Sequence, residues 1–181
     1  MTDPVDLQRA LDTLVRDVPD FPEPGIVFKD ITPLLADAGA LRATVEALSE
    51  LVRQAAGGPV DLVLGIEARG FVLAAPVAVA LGAGFVPVRK AGKLPGAAHA
   101  ATYDLEYGQA TIELHRDALP PGSRVAVIDD VLATGGTMAA ALELVARAGG
   151  EVACAAVLLE LEFLHGRRRL PDVPLQALRI L

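Results

Sequence analysis

The sequence predicts an α/β domain built on a largely parallel sheet flanked by helices. Three observations lead there. Short runs rich in Val, Ile and Leu alternate with stretches whose apolar residues recur at helical spacing. The runs 60–64, 124–128 and 152–159 are almost continuously apolar, the pattern of strands buried on both faces. No linker, low-complexity tract or internal repeat interrupts the 181 residues, so one domain is expected across 1–181.

Each element has its own signal. Pro4, Val5, Leu7, Leu11, Leu14, Val15 and Val18 predict an amphipathic helix, stopped by Pro19, Pro22, Pro24 and Gly25. Leu41, Val45, Leu48, Leu51 and Val52 predict a second helix, closed by Gly57, Gly58 and Pro59. Val60 to Leu64 reads as a strand ending in Gly65, then a helix to Leu81 and a strand over Phe85–Val88. From Arg89 to Ala101 the periodicity disappears, and Gly92, Pro95 and Gly96 among Lys90, Lys93 and His99 predict a mobile, locally basic loop. Thr111–Leu114 alternates like a half-exposed strand; Arg124–Ile128 and Val152–Leu159 are buried strands around a helix over Thr137–Ala148.

Composition excludes several classes. The net charge of −7 and sequence pI near 4.9 oppose a nucleic-acid partner. A mean hydropathy of +0.44 prompts a membrane test. The uncharged stretch from Phe71 to Val88 is broken by Pro76, Gly82, Gly84 and Pro87, so it predicts a buried helix and strand rather than a membrane span. Asp3, Asp6 and Asp12 replace the basic and apolar regions of a secretory signal, and a cytoplasmic protein is expected. The single cysteine, Cys154, excludes an internal disulfide and reads as a buried small hydrophobe. His99 and His115 lack ligand spacing, and Arg167, Arg168 and Arg169 read as a solvated face near a helix end.

The segment from Val125 to Thr137 carries the strongest chemistry. A hydrophobic strand ends in Asp129 and Asp130, then a small-residue turn through Ala133, Thr134, Gly135 and Gly136 opens a helix at Thr137. Adjacent carboxylates suit vicinal sugar hydroxyls or a hydrated metal. The glycines let backbone N–H groups approach a phosphate at the helix N-terminus, and the threonines add donors. The turn lacks the Gly-Lys-Ser/Thr ending and the G-x-G-x-x-G spacing of the standard nucleotide loops, which leaves a sugar phosphate. Arg69 and Gly70 likewise follow a predicted strand and precede a helix, where amides and a guanidinium could meet a pyrophosphate.

The 125–137 string resembles the phosphoribosyl pyrophosphate (PRPP) motif of type I phosphoribosyltransferases. Asp20–Leu35, the run from Gly65 to Phe71, Arg89–Lys90 with Gly92–Pro95, and Tyr103–Gly108 narrow the resemblance to the adenine phosphoribosyltransferases, from about Asp20 to about Leu170. The resemblance implies that family's fold, with an N-terminal hood over about 1–35 and a flexible catalytic loop over about 89–101. It implies a purine salvage reaction in which the 5-phosphoribosyl group of PRPP passes to N9 of adenine, giving AMP and pyrophosphate. Asp129, Asp130, Ala133, Thr134, Gly135, Gly136 and Thr137 would then hold the ribose and its phosphate. Arg69, Gly70, Arg89, Lys90 and Lys93 would hold pyrophosphate. Val27, Phe28, Lys29 and Val131 would hold adenine, Phe28 by stacking and Val27 and Lys29 through backbone groups. Glu106 would approach N7. The same resemblance implies a homodimer and Mg²⁺ held mainly through PRPP, with no protein side chain needed as ligand. A purine or PRPP sensor without catalysis stays open as an alternative; it would need neither Glu106 nor the lysine-bearing loop. A base other than adenine is a further alternative, which the Phe28 segment argues against.

Overall fold

The computed structural model describes residues 6–104 and 108–181. The chain groups into two compact units, residues 1–47 and 48–181. In the first, helix α1 (Leu7–Leu14) is capped by Asp6, whose carboxylate accepts from the Gln8 and Arg9 amides. Periodicity predicts helix as far as Val18, but the chain leaves it after Leu14, and Arg16–Pro19 forms β1, antiparallel to β2 (Val27–Asp30). The β-branched Val15 and Val18 fit either element, and pairing with β2 decides between them. The register places Arg16 on Asp30 at 2.7 Å and Lys29 on Asp17 at 2.6 Å. Thr32 donates to Asp30 from its backbone amide, and its hydroxyl and that amide, with Arg16, lower the Asp30 carboxyl to about 2. Short helix α2 (Thr32–Ala36) and long helix α3 (Ala38–Ala56) follow.

The second unit is a seven-stranded sheet ordered β5-β6-β4-β3-β7-β8-β9. Its strands are β3 (Leu62–Ile66), β4 (Gly84–Lys90), β5 (Ala98–Asp104), β6 (Gln109–His115), β7 (Arg124–Leu132), β8 (Glu151–Glu160) and β9 (Leu175–Ile180). Strands β4, β3, β7, β8 and β9 are mutually parallel, and the β5–β6 hairpin joins antiparallel through β6 to β4. Val63, Leu64 and Ile66 of β3, Val125–Ile128 of β7 and Ala153–Leu159 of β8 are buried, which accounts for their unbroken apolar sequence. Helix α4 (Arg69–Leu81) connects β3 to β4, and helix α5 (Gly136–Arg147) connects β7 to β8. One crossover leads away from the β3–β7 pair in each direction, so the pair is a topological switch point.

Four expectations need correction. The loop expected from Arg89 to Ala101 is shorter: β4 continues to Lys90, and Ala98–Ala101 is already strand, paired from Ala98↔His115 onward. Alanine carries no strand signal of its own, and the hairpin partner supplies the structure. The β7 strand does not end before the acids but continues through Asp129, Asp130 and Val131 to Leu132, opposite Val157 to Glu160 of β8. Helix α4 is not buried all round: it buries Leu73, Ala74, Val77 and Ala78 but leaves Val79 81% exposed, with Val72 and Phe85 of β4 also outside. Finally, Arg167 is exposed, as expected, but it is not a free surface charge. It lies in a 3₁₀ turn (Gly166–Arg169) and donates to both carboxylate oxygens of buried Glu160, at 3.0 and 2.5 Å, and to the Leu175 carbonyl at 2.9 Å. Cys154 is fully buried on β8, and burial pushes its thiol up to about 11, so it is an inert core residue.

Candidate active site

Ligands of open α/β sheets bind beyond the carboxyl ends of the strands at the switch point. Here that place is formed by the ends of β3 and β7 and the first turns of α4 and α5. Neither helix has a side-chain cap: the residues before them are Ala68 and Gly135. Apart from the Phe71 amide, which donates to the Ala68 carbonyl, their first-turn amides have no N-cap side chain to bond, and two such N-termini beside adjacent strands suit a ligand with two phosphate groups.

Backbone proximity builds the floor. A Cβ on Gly70 would lie 3.0 Å from Asp129 Oδ1 and 3.0 Å from the Ile128 carbonyl, so glycine is what lets α4 start against β7. One residue earlier, Arg69 Nε sits 2.9 Å from Asp130 Oδ2. That oxygen is buried and accepts no well-directed hydrogen bond among the described residues. Asp129 Oδ1 turns back to accept from the Asp130 amide at 2.9 Å. Burial raises the Asp129 carboxyl well above its ordinary range, and the neighbouring Asp130 carboxylate adds to it; burial likewise raises Asp130, against the pull of Arg69. A buried acceptor that meets the Arg69 guanidinium without a well-directed hydrogen bond among the described residues, beside a second carboxylate, fits a ligand that brings hydroxyl groups.

The phosphate loop runs from Ala133 to Thr137. Gly135 has φ +83, a left-handed conformation that a side chain would resist, and a Cβ there would fall 2.3 Å from the Gly166 carbonyl oxygen. Gly136 is more mildly constrained, with the Asp104 carbonyl 3.0 Å and the Tyr103 ring 3.1 Å from where its Cβ would be. The start of α5 thus abuts the end of β5, the strand that leads to residues 105–107.

The structure brings Arg69, Gly70, Asp129, Asp130 and the 133–137 loop together. Arg89 and Lys90 end β4, next to β3, but Arg89 is already engaged: its Nε donates to Glu67 Oε2 at 3.0 Å, and its guanidinium lies 5.8 Å from the Phe71 ring centroid. The same Glu67 oxygen accepts from the Lys90 amide at 2.8 Å, and that bond, with Arg89, keeps the Glu67 carboxyl below its usual range. Glu67 thus ties the turn after β3 to the end of β4, a contact that sequence reasoning missed. Its signal was its place two residues before Arg69, but its partner is on another strand. Lys90 and Lys93 are exposed in and beside the turn after β4. Val27, Phe28 and Lys29 belong to the first unit, where Phe28 meets Phe21 edge-to-face at 5.1 Å and Lys29 pairs with Asp17. Val131 is half-buried on β7. Glu106 lies outside the described residues.

The two aspartates give opposite expectations for stability and function. A carboxyl whose folded pKa is raised makes the native state less stable as pH climbs from the ordinary Asp value through the raised one. Asp129→Asn removes that cost. The variant should melt higher than wild type near pH 7, by about 2–4 °C per kcal/mol relieved, with the gap narrowing toward pH 4. Losing a charge-assisted hydrogen bond to a sugar hydroxyl should meanwhile weaken PRPP use by ~1.5–3 kcal/mol, about ten- to a hundredfold. Thermal melts at both pH values and PRPP kinetics check the pair of effects. A variant that melts lower and uses PRPP normally contradicts both.

The fold and this site define a phosphoribosyl-group transferase. The phosphoribosyl transferase domain family matches residues 32–173. An adenine phosphoribosyltransferase of Thermobifida fusca is 61% identical over 173 residues, covering 96% of this chain and 97% of its own length. The crystal structure of adenine phosphoribosyltransferase from Rhodothermus marinus superposes with a TM-score of 0.89 at 52% identity, covering 97% of this chain and 98% of that one. That of the Saccharomyces cerevisiae enzyme, complexed with an imino-altritol bisphosphate and adenine, gives 0.88 at 39% identity over 93% and 96%. The chain belongs to the phosphoribosyltransferase family, within its adenine phosphoribosyltransferase branch.

Proposed function

We infer that the protein is a purine salvage transferase that moves the 5-phosphoribosyl group of PRPP to N9 of adenine, releasing AMP and pyrophosphate. The observation that carries this reading is the pair of uncapped helix starts flanking Asp129 and Asp130 at the switch point. The 133–137 loop cradles the 5-phosphate through its amides and the Thr134 and Thr137 hydroxyls. Asp129 and Asp130 accept from the ribose hydroxyls, and as carboxylates they place negative charge beside a ribose that becomes cationic as the C1–oxygen bond to pyrophosphate breaks. Arg69 and the Gly70 amide hold the pyrophosphate, and Arg89, Lys90 and Lys93 supply further positive charge as the turn after β4 closes and excludes water. Phe28 and Val131 offer faces to the purine, whose N9 bonds to C1 while Glu106 stands at N7.

Mg²⁺ fits this donor set. Among the described residues no three His, Cys, Asp or Glu side chains gather into a metal cage, and Mg²⁺ is commonly held by one or two carboxylates with substrate phosphates supplying the rest. PRPP oxygens would hold it, with Asp129 and Asp130 as the nearest protein carboxylates. When bound it neutralises charge on the departing pyrophosphate. The protein acts as a homodimer. The uncovered Val72, Val79 and Phe85 support this, since an uncharged helix face with a neighbouring exposed aromatic suits burial against a second copy.

The test is product formation by purified protein from adenine and PRPP. AMP and pyrophosphate should appear one to one, and a chelator should abolish both until Mg²⁺ is restored. Binding of adenine or PRPP without product would instead establish the sensor alternative.

A further inference from the structure

The phosphate loop is braced from behind by a segment with no assigned role. Gly135 and Gly166 approach each other backbone to backbone. A Cβ on Gly135 would fall 2.3 Å from the Gly166 oxygen, and a Cβ on Gly166 would fall 2.1 Å from the Ala133 oxygen and 2.9 Å from the Gly135 nitrogen. Both distances are far inside van der Waals contact, so no side chain fits at either position without moving the loop. His165, just before Gly166, takes the left-handed φ of +53 that turns the chain toward the loop.

What fixes that turn is Arg167. Its guanidinium grips Glu160, the last residue of β8, with two hydrogen bonds, and reaches the Leu175 carbonyl at the start of β9 with a third. The Glu160 side chain is only 7% exposed. A bidentate pair of this kind fixes orientation as well as distance. The same region is tied to β7 where the loop begins, since the Leu161 amide donates to the Leu132 carbonyl at 2.9 Å. The sheet's far edge, the turn and the loop are therefore joined by one chain of side-chain and backbone hydrogen bonds.

We propose that Gly166 and the Glu160–Arg167 pair are positioning residues for PRPP: they act through the 133–137 loop, holding its amides where the sugar phosphate needs them. The proposal rests on the reading of that loop as the phosphate cradle. It predicts an effect confined to one substrate, because adenine is not held by the loop. A displacement of about 1 Å in a positioning element can cost about 10²-fold.

The experiment measures KM for PRPP and for adenine separately, together with kcat and the melting temperature, in Gly166→Ala, Arg167→Leu, Arg167→Lys and Thr137→Val. Gly166→Ala should raise KM for PRPP by about 10²-fold with KM for adenine within about twofold of wild type. Arg167→Leu should do the same more weakly, and Arg167→Lys, which keeps the charge but not the bidentate grip, should recover only part of the loss. If Gly166→Ala does not fold, the Arg167 pair decides. A lower melting temperature with an unchanged KM for PRPP, or equal rises in both KM values, would overturn the brace. Thr137→Val removes a donor from the cradle itself: if it raises KM for PRPP while the Gly166 and Arg167 variants do not, the brace alone fails. If Thr137→Val leaves that KM unchanged, the cradle reading fails and the brace with it.

Discussion

Glu106→Gln is expected to lower kcat by ~10²–10⁴-fold while KM for PRPP and the melting temperature stay near wild type. The purine must shed a ring N–H proton as N9 bonds to the ribose, and the electron density that N9 donates is governed by what happens at N7. A carboxyl group at N7 can share a proton with that nitrogen in the transition state, and an amide of the same shape cannot. Asp104 and Gln109, the described residues nearest Glu106 on either strand, pair across the β5–β6 hairpin. Asp104 touches Gly136 of the phosphate loop. Single-turnover kinetics with saturating PRPP and adenine isolate the chemical step. An unchanged kcat would make Glu106 a surface residue beside a turn, with no part in the chemical step.

Discrimination among purines should be comparably large. Adenine presents an amino donor at position 6 and an acceptor at N1; hypoxanthine and guanine present the reverse. The β1–β2 ribbon has only two strands, so alternate N–H and C=O groups along β2 point away from its partner and can read that edge. Backbone groups cannot rotate to suit the inverted pattern. Two mispaired buried groups cost ~1–3 kcal/mol each, which amounts to roughly 30-fold to 10⁴-fold in kcat/KM. The Lys29 side chain is occupied by Asp17, so Lys29→Ala should leave selectivity nearly intact. Phe28→Ala removes a stacking face and should weaken every purine alike.

The parallel core was legible because burial on both faces leaves an unbroken apolar record in β3, β7 and β8. Elements defined by their partners left no such record. Alanines at 98, 100 and 101 become strand only because β6 pairs with them, and Val15 and Val18 fit a helix as well as the ribbon that claims Val18. The length of β7 was underestimated for a related reason. Asp129 and Asp130 look like a terminus in sequence, yet β8 continues to pair beside them.

Much of the candidate site was legible for the opposite reason. The residues from Asp129 to Thr137 are contiguous, and their types already state what the turn can bind. Residues that position them are remote in sequence. Glu67, in the turn after β3, meets Arg89 on β4; Arg167 finds Glu160 across a turn; and Gly166 matters only because Gly135 lies against it. An arginine triplet such as Arg167–Arg169 looks solvated until a buried carboxylate singles out one member. A close backbone approach leaves no trace in sequence beyond the glycine itself.

The most direct test of adenine phosphoribosyl transfer is a competition at saturating PRPP and Mg²⁺. Equal concentrations of adenine, hypoxanthine and guanine are offered to the purified protein, and the three nucleotide products are separated and counted at early times. AMP should exceed IMP and GMP by at least roughly 30-fold, the lower bound set by two mispaired edge groups. A ratio below about tenfold, less than two mispaired groups would cost, would contradict it and indicate a site that does not read the purine edge.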